Sequence, residues 1–210
     1  MKDFSIAMAL VDYIPVVFFG YGAASLLRDL YNKMTKASFS LFAAGVMNVF
    51  IAGALKATYK LLYAANICDF EPLNAMFFPV QSIGFLLAGA GLILMLVRRP
   101  KKGETLFAAA PVVWSGTFLF VGLMVAGLGC MDAVLCYLAA KVKKPVAIVL
   151  FVLAFFCSLC MGYLSSKDFT EAAMNWLAQG INVVGQGCFL GGAILLHKAG
   201  LEKYNLPSKK

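Results

Sequence analysis

The chain has 210 residues, 62% hydrophobic and 13% charged, with a mean hydropathy of +0.85. A soluble core cannot hide that much apolar surface. The apolar runs reach the roughly 18–20 residues that span a bilayer, so the sequence predicts an integral membrane protein with no separate soluble domain. The runs do not alternate with period two, which excludes barrel strands and leaves an all-α fold. A net charge of +8 would suggest nucleic acid in a soluble chain. Here Lys and Arg fall in short loops and the C-terminal tail, where they set orientation and meet anionic head groups, so lipids and not nucleic acid are the expected contact.

In chain order, the first apolar segment covers about residues 4–27 and carries Asp12 and Pro15. Asp12 interrupts the run and no small-residue cleavage site follows, so this segment is expected to stay as a helix. A basic loop (28–36) leads to a second segment, 37–60, with Asn48 inside and Lys56 and Lys60 one turn apart near its end. A polar connection holding Asp69 and Glu71 precedes the third segment, 73–97, which ends in Arg98-Arg99-Pro100-Lys101-Lys102. Residues 105–140 are long for one crossing and tight for two. One crossing gives six helices in total. Two short helices meeting near residues 122–129 give seven. If the loops at 28–36 and 98–102 are cytoplasmic, only seven crossings also place Lys141, Lys143, Lys144 and the basic tail inside. The sequence therefore predicts seven transmembrane helices, N-terminus out and C-terminus in, with six as the alternative. A sixth helix, 145–165, begins at Pro145, where a missing N–H costs nothing. A short outer loop precedes the seventh, 174–198.

The seventh segment carries Asn175, Gln179, Asn182 and Gln186. Amides at i, i+4, i+7 and i+11 share one helix face, so a polar stripe runs down an apolar rod and must meet other helices or a wet cavity. The third segment reads as a worn copy at constant offset. Asn74 matches Asn175, Gln81 matches Asn182, Gly84 matches Gly185 and Gly91 matches Gly192. This frames a 3+1+3 repeat: a three-helix unit in 1–102, a linker helix in 103–126, a second unit in 127–198 and a basic cytoplasmic tail in 199–210.

Amides both donate and accept, which suits a polar, neutral or zwitterionic solute. The alternative is helix–helix hydrogen bonding with no ligand. Two matched stripes, with Asn48, favour a shared central pathway. Asp132 falls near the middle of an apolar run, where an ionisable group is a functional hypothesis by default, here a proton- or cation-coupling site. Asp12 is a second candidate, paired with Lys56 or with Lys56 reaching the interface instead. Gly187-xxx-Gly191 has small-xxx-small spacing, and Pro15, Pro79 and Pro111 lie inside apolar helices. Six cysteines read as small buried hydrophobes, and Cys157-Ser-Leu-Cys160 is the one redox-like motif. A single histidine, His197, excludes a bis-histidine haem, and no cofactor or metal is expected.

Seven helices arranged 3+1+3, the Lys36-Ala-Ser-Phe-Ser40 run, Asn48 early in the second segment, and Asn175 or Asn182 followed by Gly185 resemble the SWEET and PQ-loop transporters. The chain departs from them in lacking a Pro-Gln dipeptide and a proline in the second segment. The resemblance implies a polar-solute carrier whose pocket lies between the two three-helix bundles, with Asn74 or Gln81 facing Asn175 or Asn182. The function expected is thus a small transporter or channel in the plasma or inner membrane, alone or as a homo-oligomer. A non-transporting sensor or accessory subunit bound to a partner membrane protein, and a membrane enzyme of lipid or redox chemistry, stay open.

Overall fold

Apolar surroundings oblige every backbone N–H and C=O to find its partner within the chain, and helices meet that demand locally. The computed structural model describes residues 5–97, 117–164 and 172–204, and these are helical almost throughout. The helices are α1 (Ile6–Val11), α2 (Tyr13–Leu30), α3 (Lys36–Ala64), α4 (Pro72–Ala75), α5 (Phe77–Val97), α6 (Thr117–Lys141), α7 (Pro145–Leu164) and α8 (Ala172–Lys198). With α1–α2 and α4–α5 each forming one span, the described residues hold six spans long and apolar enough to cross a membrane. The stretches 98–116 and 165–171, with the basic run at Arg98 and Pro111, lie outside the described residues.

Local chemistry explains the ends and breaks. Ser5 and Thr35 cap α1 and α3, accepting hydrogen bonds from the Met8 and Ser38 amides at 3.1 and 3.0 Å. Pro15 cannot donate to the Val11 carbonyl, nor Pro79 to that of Ala75, and the helix breaks directly after each freed carbonyl, at Asp12 and Met76. Pro145 starts α7 as expected.

One expectation is corrected. α6 runs without a break through residues 122–129, so 117–126, expected in the linker helix, are its first turns. Glycine weakens a helix in water, but in a packed apolar bundle it serves close approach instead. Gly127 sits so close to Leu86 of α5 that a Cβ there would collide with its backbone.

The spans close a ring in the order α2, α3, α5, α6, α7, α8 and back to α2. Neighbours are antiparallel except α5 with α6 and α8 with α2, where Met8 meets Gln179 and Asp29 meets His197. Gly127 meets Leu86 and Gly89 meets Cys130, so α5 and α6 run in the same direction. α5 therefore ends on one face of the bundle and α6 begins on the other. Arg28, Lys33, Lys36, Lys141, Lys144 and Lys198 gather on the first face, and Asp69 and Glu71 on the opposite one.

The surface is inverted relative to a water-soluble protein. Along α7, Val146, Val149, Leu153, Phe156 and Tyr163 stand exposed at helical spacing, while Phe151 and Ala154 turn inward. On the basic face the bundle is tied shut. His197 Nδ1 lies 3.0 Å from the buried Asp29 carboxylate, Arg28 Nη2 lies 2.9 Å from the imidazole, and the Lys33 ammonium donates to the Glu202 and Tyr204 carbonyls at 2.8 and 2.7 Å. A 3-10 turn at Leu201–Lys203 seats Leu201 in the core, so the start of the predicted tail is part of the fold.

Candidate functional site

Inside the ring, in the half towards the acidic face, lies a cavity of about 430 Å³. That falls within the roughly 300–1,000 Å³ of small-molecule sites. α5 and its leading turn α4 contribute Asn74, Phe77, Phe78, Gln81 and Phe85, and α8 contributes Asn175, Ala178, Gln179, Asn182 and Gln186. These ten positions pair one to one at the offset that separates Asn74 from Asn175. The glycines follow the same rule. A Cβ on Gly84 would meet the Gly45 carbonyl and Val49, and one on Gly185 would meet Cys157. One on Gly91 would meet Phe42, and one on Gly192 would meet Phe151. α5 thus packs on α3 as α8 packs on α7.

The amides are not spent on one another. Gln179 donates to the Met8 carbonyl at 2.9 Å, and Asn175 is buried and engaged. Among the described residues, the side chains of Asn74, Gln81, Asn182 and Gln186 make no hydrogen bond, although all four line the cavity. Helix–helix bonding, the alternative reading of the stripe, does not occupy them.

Asp12 also lines the cavity, at the α1–α2 break, but its partner differs from the expected Lys56. Its carboxylate lies 2.6 Å from the Lys60 ammonium, with both side chains nearly buried. Packing of Val16 on Gly53 and the Tyr13–Thr58 hydrogen bond at 2.8 Å set Asp12 level with the last turns of α3, beyond Lys56. The Lys56 ammonium lies over the Phe77 ring instead, 3.9 Å from its centroid, and 5.7 Å from that of Phe78.

Towards the basic face the cavity ends on aromatic rings. Phe19 stacks on Phe189 with centroids 5.2 Å apart and meets Phe85 edge-on at 6.2 Å, while Phe151 closes on Phe189 from α7. Nothing in the apolar runs distinguishes these phenylalanines from lipid-facing ones, and sequence reasoning missed them along with Lys60 and Ser158.

Two expected residues do not line the cavity. Asn48 is half-buried on α3 with its amide nitrogen unpartnered. Asp132 sits one turn beyond the cavity-lining Leu128 on α6, 4% exposed, with both carboxylate oxygens buried and unpartnered. Gly187 and Gly191 do not form a common seam, since Gly187 faces Phe18 of α2 and Gly191 faces Leu150 of α7. All six cysteines are free thiols. Among the described residues no group of three His, Cys, Asp or Glu side chains is placed to hold a metal ion.

Comparison with protein-family models, with curated proteins and with solved structures finds no match.

Proposed function

We propose that this chain is a small seven-crossing carrier for a polar or zwitterionic solute, bound between two similar three-helix units. The observation that carries the reading is that the amides of α4–α5 and α8, matched at Asn74 with Asn175 and at Gln81 with Asn182, face one cavity with Asn74, Gln81, Asn182 and Gln186 unbonded. Helix glue would consume those groups, whereas a solute site keeps them for its ligand. The repeat draws support from the matched glycine contacts of α3–α5 and α7–α8. Seven crossings draw support from the parallel pair α5 and α6, because six spans alone would leave the chain on the wrong face before Thr117. The basic residues on one face support N-terminus out and C-terminus in. The cavity then lies towards the outside, with the aromatic layer and the Arg28–Asp29–His197 ties as the inner closure.

Asp132 is the coupling candidate. An ionised carboxylate buried among apolar groups without a partner is costly, so a proton or cation accompanies it during the cycle. The test is thermal unfolding of the purified protein against pools of sugars, amino acids, nucleobases and organic ions. Stabilisation by one pool should rise with dose, as binding to the folded state requires, and disappear in Asn182→Ala. A cooperative unfolding transition that no pool moves would end the carrier reading.

A further inference from the structure

Among the described residues, the charges lining the cavity do not balance. Asp12 and Lys60 neutralise each other at 2.6 Å. Lys56, one turn deeper on α3, adds a second cation, and among the described residues no further carboxylate lines the cavity. Among the described residues Lys56 makes no ion pair and no hydrogen bond; its ammonium rests against the faces of Phe77 and Phe78. A ring face attracts a cation but offers no formal charge and no acceptor lone pair of the strength of a carboxylate. Facing the cavity, this ammonium is the one unpaired charge among the described lining residues, and an anion is its natural complement.

We propose that the solute is a small organic carboxylate, net monoanionic, whose carboxylate pairs with Lys56. This assignment rests on the carrier reading and replaces its zwitterionic option with a solute that carries net negative charge. The rest of the wall fixes the rest of the solute. Phe50, Phe77, Phe85, Met124 and Leu128 supply an apolar surround, so the body attached to the carboxylate is largely hydrocarbon. Gln81 and Asn182, on opposite walls, donate to the second carboxylate oxygen or to one further polar group. A solute whose charge is a lone ammonium is disfavoured, because Asp12, the carboxylate in the wall among the described residues, already holds Lys60. A neutral sugar would leave Lys56 without a counter-charge.

The experiment compares charge at constant shape. Thermal unfolding of the detergent-purified protein is followed against acetate, hexanoate and benzoate, against their uncharged amides, and against inorganic phosphate. Carboxylates should stabilise the protein where the matching amides do not. In Lys56→Met, which keeps the apolar stem, the concentration needed should rise by about thirtyfold or more, the usual cost of removing one member of a buried charge pair. Lys56→Arg should keep most of the effect, and it controls for a Lys56→Met protein that fails to fold. Equal stabilisation by amides and carboxylates, or carboxylate binding unchanged in Lys56→Met, would overturn the anion assignment and leave the amide-lined site standing. Binding of phosphate but no carboxylate would also overturn it. Silence from every compound, with the unmutated protein equally silent towards all solute pools, would remove the carrier reading itself.

Discussion

The two halves of the bundle are built from the same helices and end as opposites. Towards the acidic face the spans splay around a cavity with an ion pair, a lone ammonium and free amides. Towards the basic face they close on Phe42, Leu92, Leu138, Phe151 and Leu196, all fully buried, and are bound at the rim by Asp29 and His197. The difference comes from which residues each helix spends on its inner face. α8 places Asn175 to Gln186 in one half and Phe189 to Leu196 in the other. A fold that merely needed stability would fill both halves, so the hollow one is where binding is to be sought.

Three substitutions would break or sharpen this contrast. The largest effect belongs in the filled half. Phe151→Ala removes a ring that has no exposed surface and lies against Gly192, and should lower unfolding stability by about 3–5 kcal/mol in a denaturant titration. Next comes the ion pair at the cavity. Asp12→Asn takes the carboxylate from Lys60 and should cost about 3 kcal/mol, while the double change Asp12→Asn with Lys60→Met should recover most of it. A double mutant as unstable as the single would show that the pair is not acting as a unit. The smallest effect belongs to the free amides. Gln81→Ala should change stability by less than about 1 kcal/mol, since no hydrogen bond is lost, yet weaken solute binding. A larger loss of stability would mean that Gln81 is structural after all, and the two halves would differ less than the geometry suggests.

Much of the hollow half is legible in the order of the amino acids. Amides recur with helical period in an apolar run, and a second run repeats two of them, with two glycines, at one constant offset. The span boundaries are equally legible, because hydrocarbon imposes a length. What the chain conceals is the register between helices. Lys56 and Lys60 are chemically identical one turn apart, and only the packing of Val16 on Gly53 decides which of them Asp12 meets. The glycines at 122–129 mislead for a related reason. In water they signal a helix end, whereas here Gly127 lets α5 approach and the helix continues. The aromatic layer at Phe19 and Phe189 is invisible in the sequence because composition does not say which phenylalanines face inward.

The seams also divide the bundle by stiffness. α3, α5 and α6 touch backbone to backbone, through Gly45 and Ala88 on one side of α5 and Gly127 and Leu86 on the other. Such contacts leave no side chain that could change rotamer and let the helices slip. α2 meets α3 and α8 through the rings of Phe50 and Phe189, with the Leu190 backbone also close to Gly22, and α7 meets α8 through the Phe151 ring and the Cys157 Cβ, so side chains stand between most of these helices. Motion should therefore be unequal, with α3, α5 and α6 acting as a plank and the remaining three spans as the compliant wall. That partition does not follow the offset between the two amide-bearing segments, so a carrier of this build would rock about a seam that the sequence pattern does not predict.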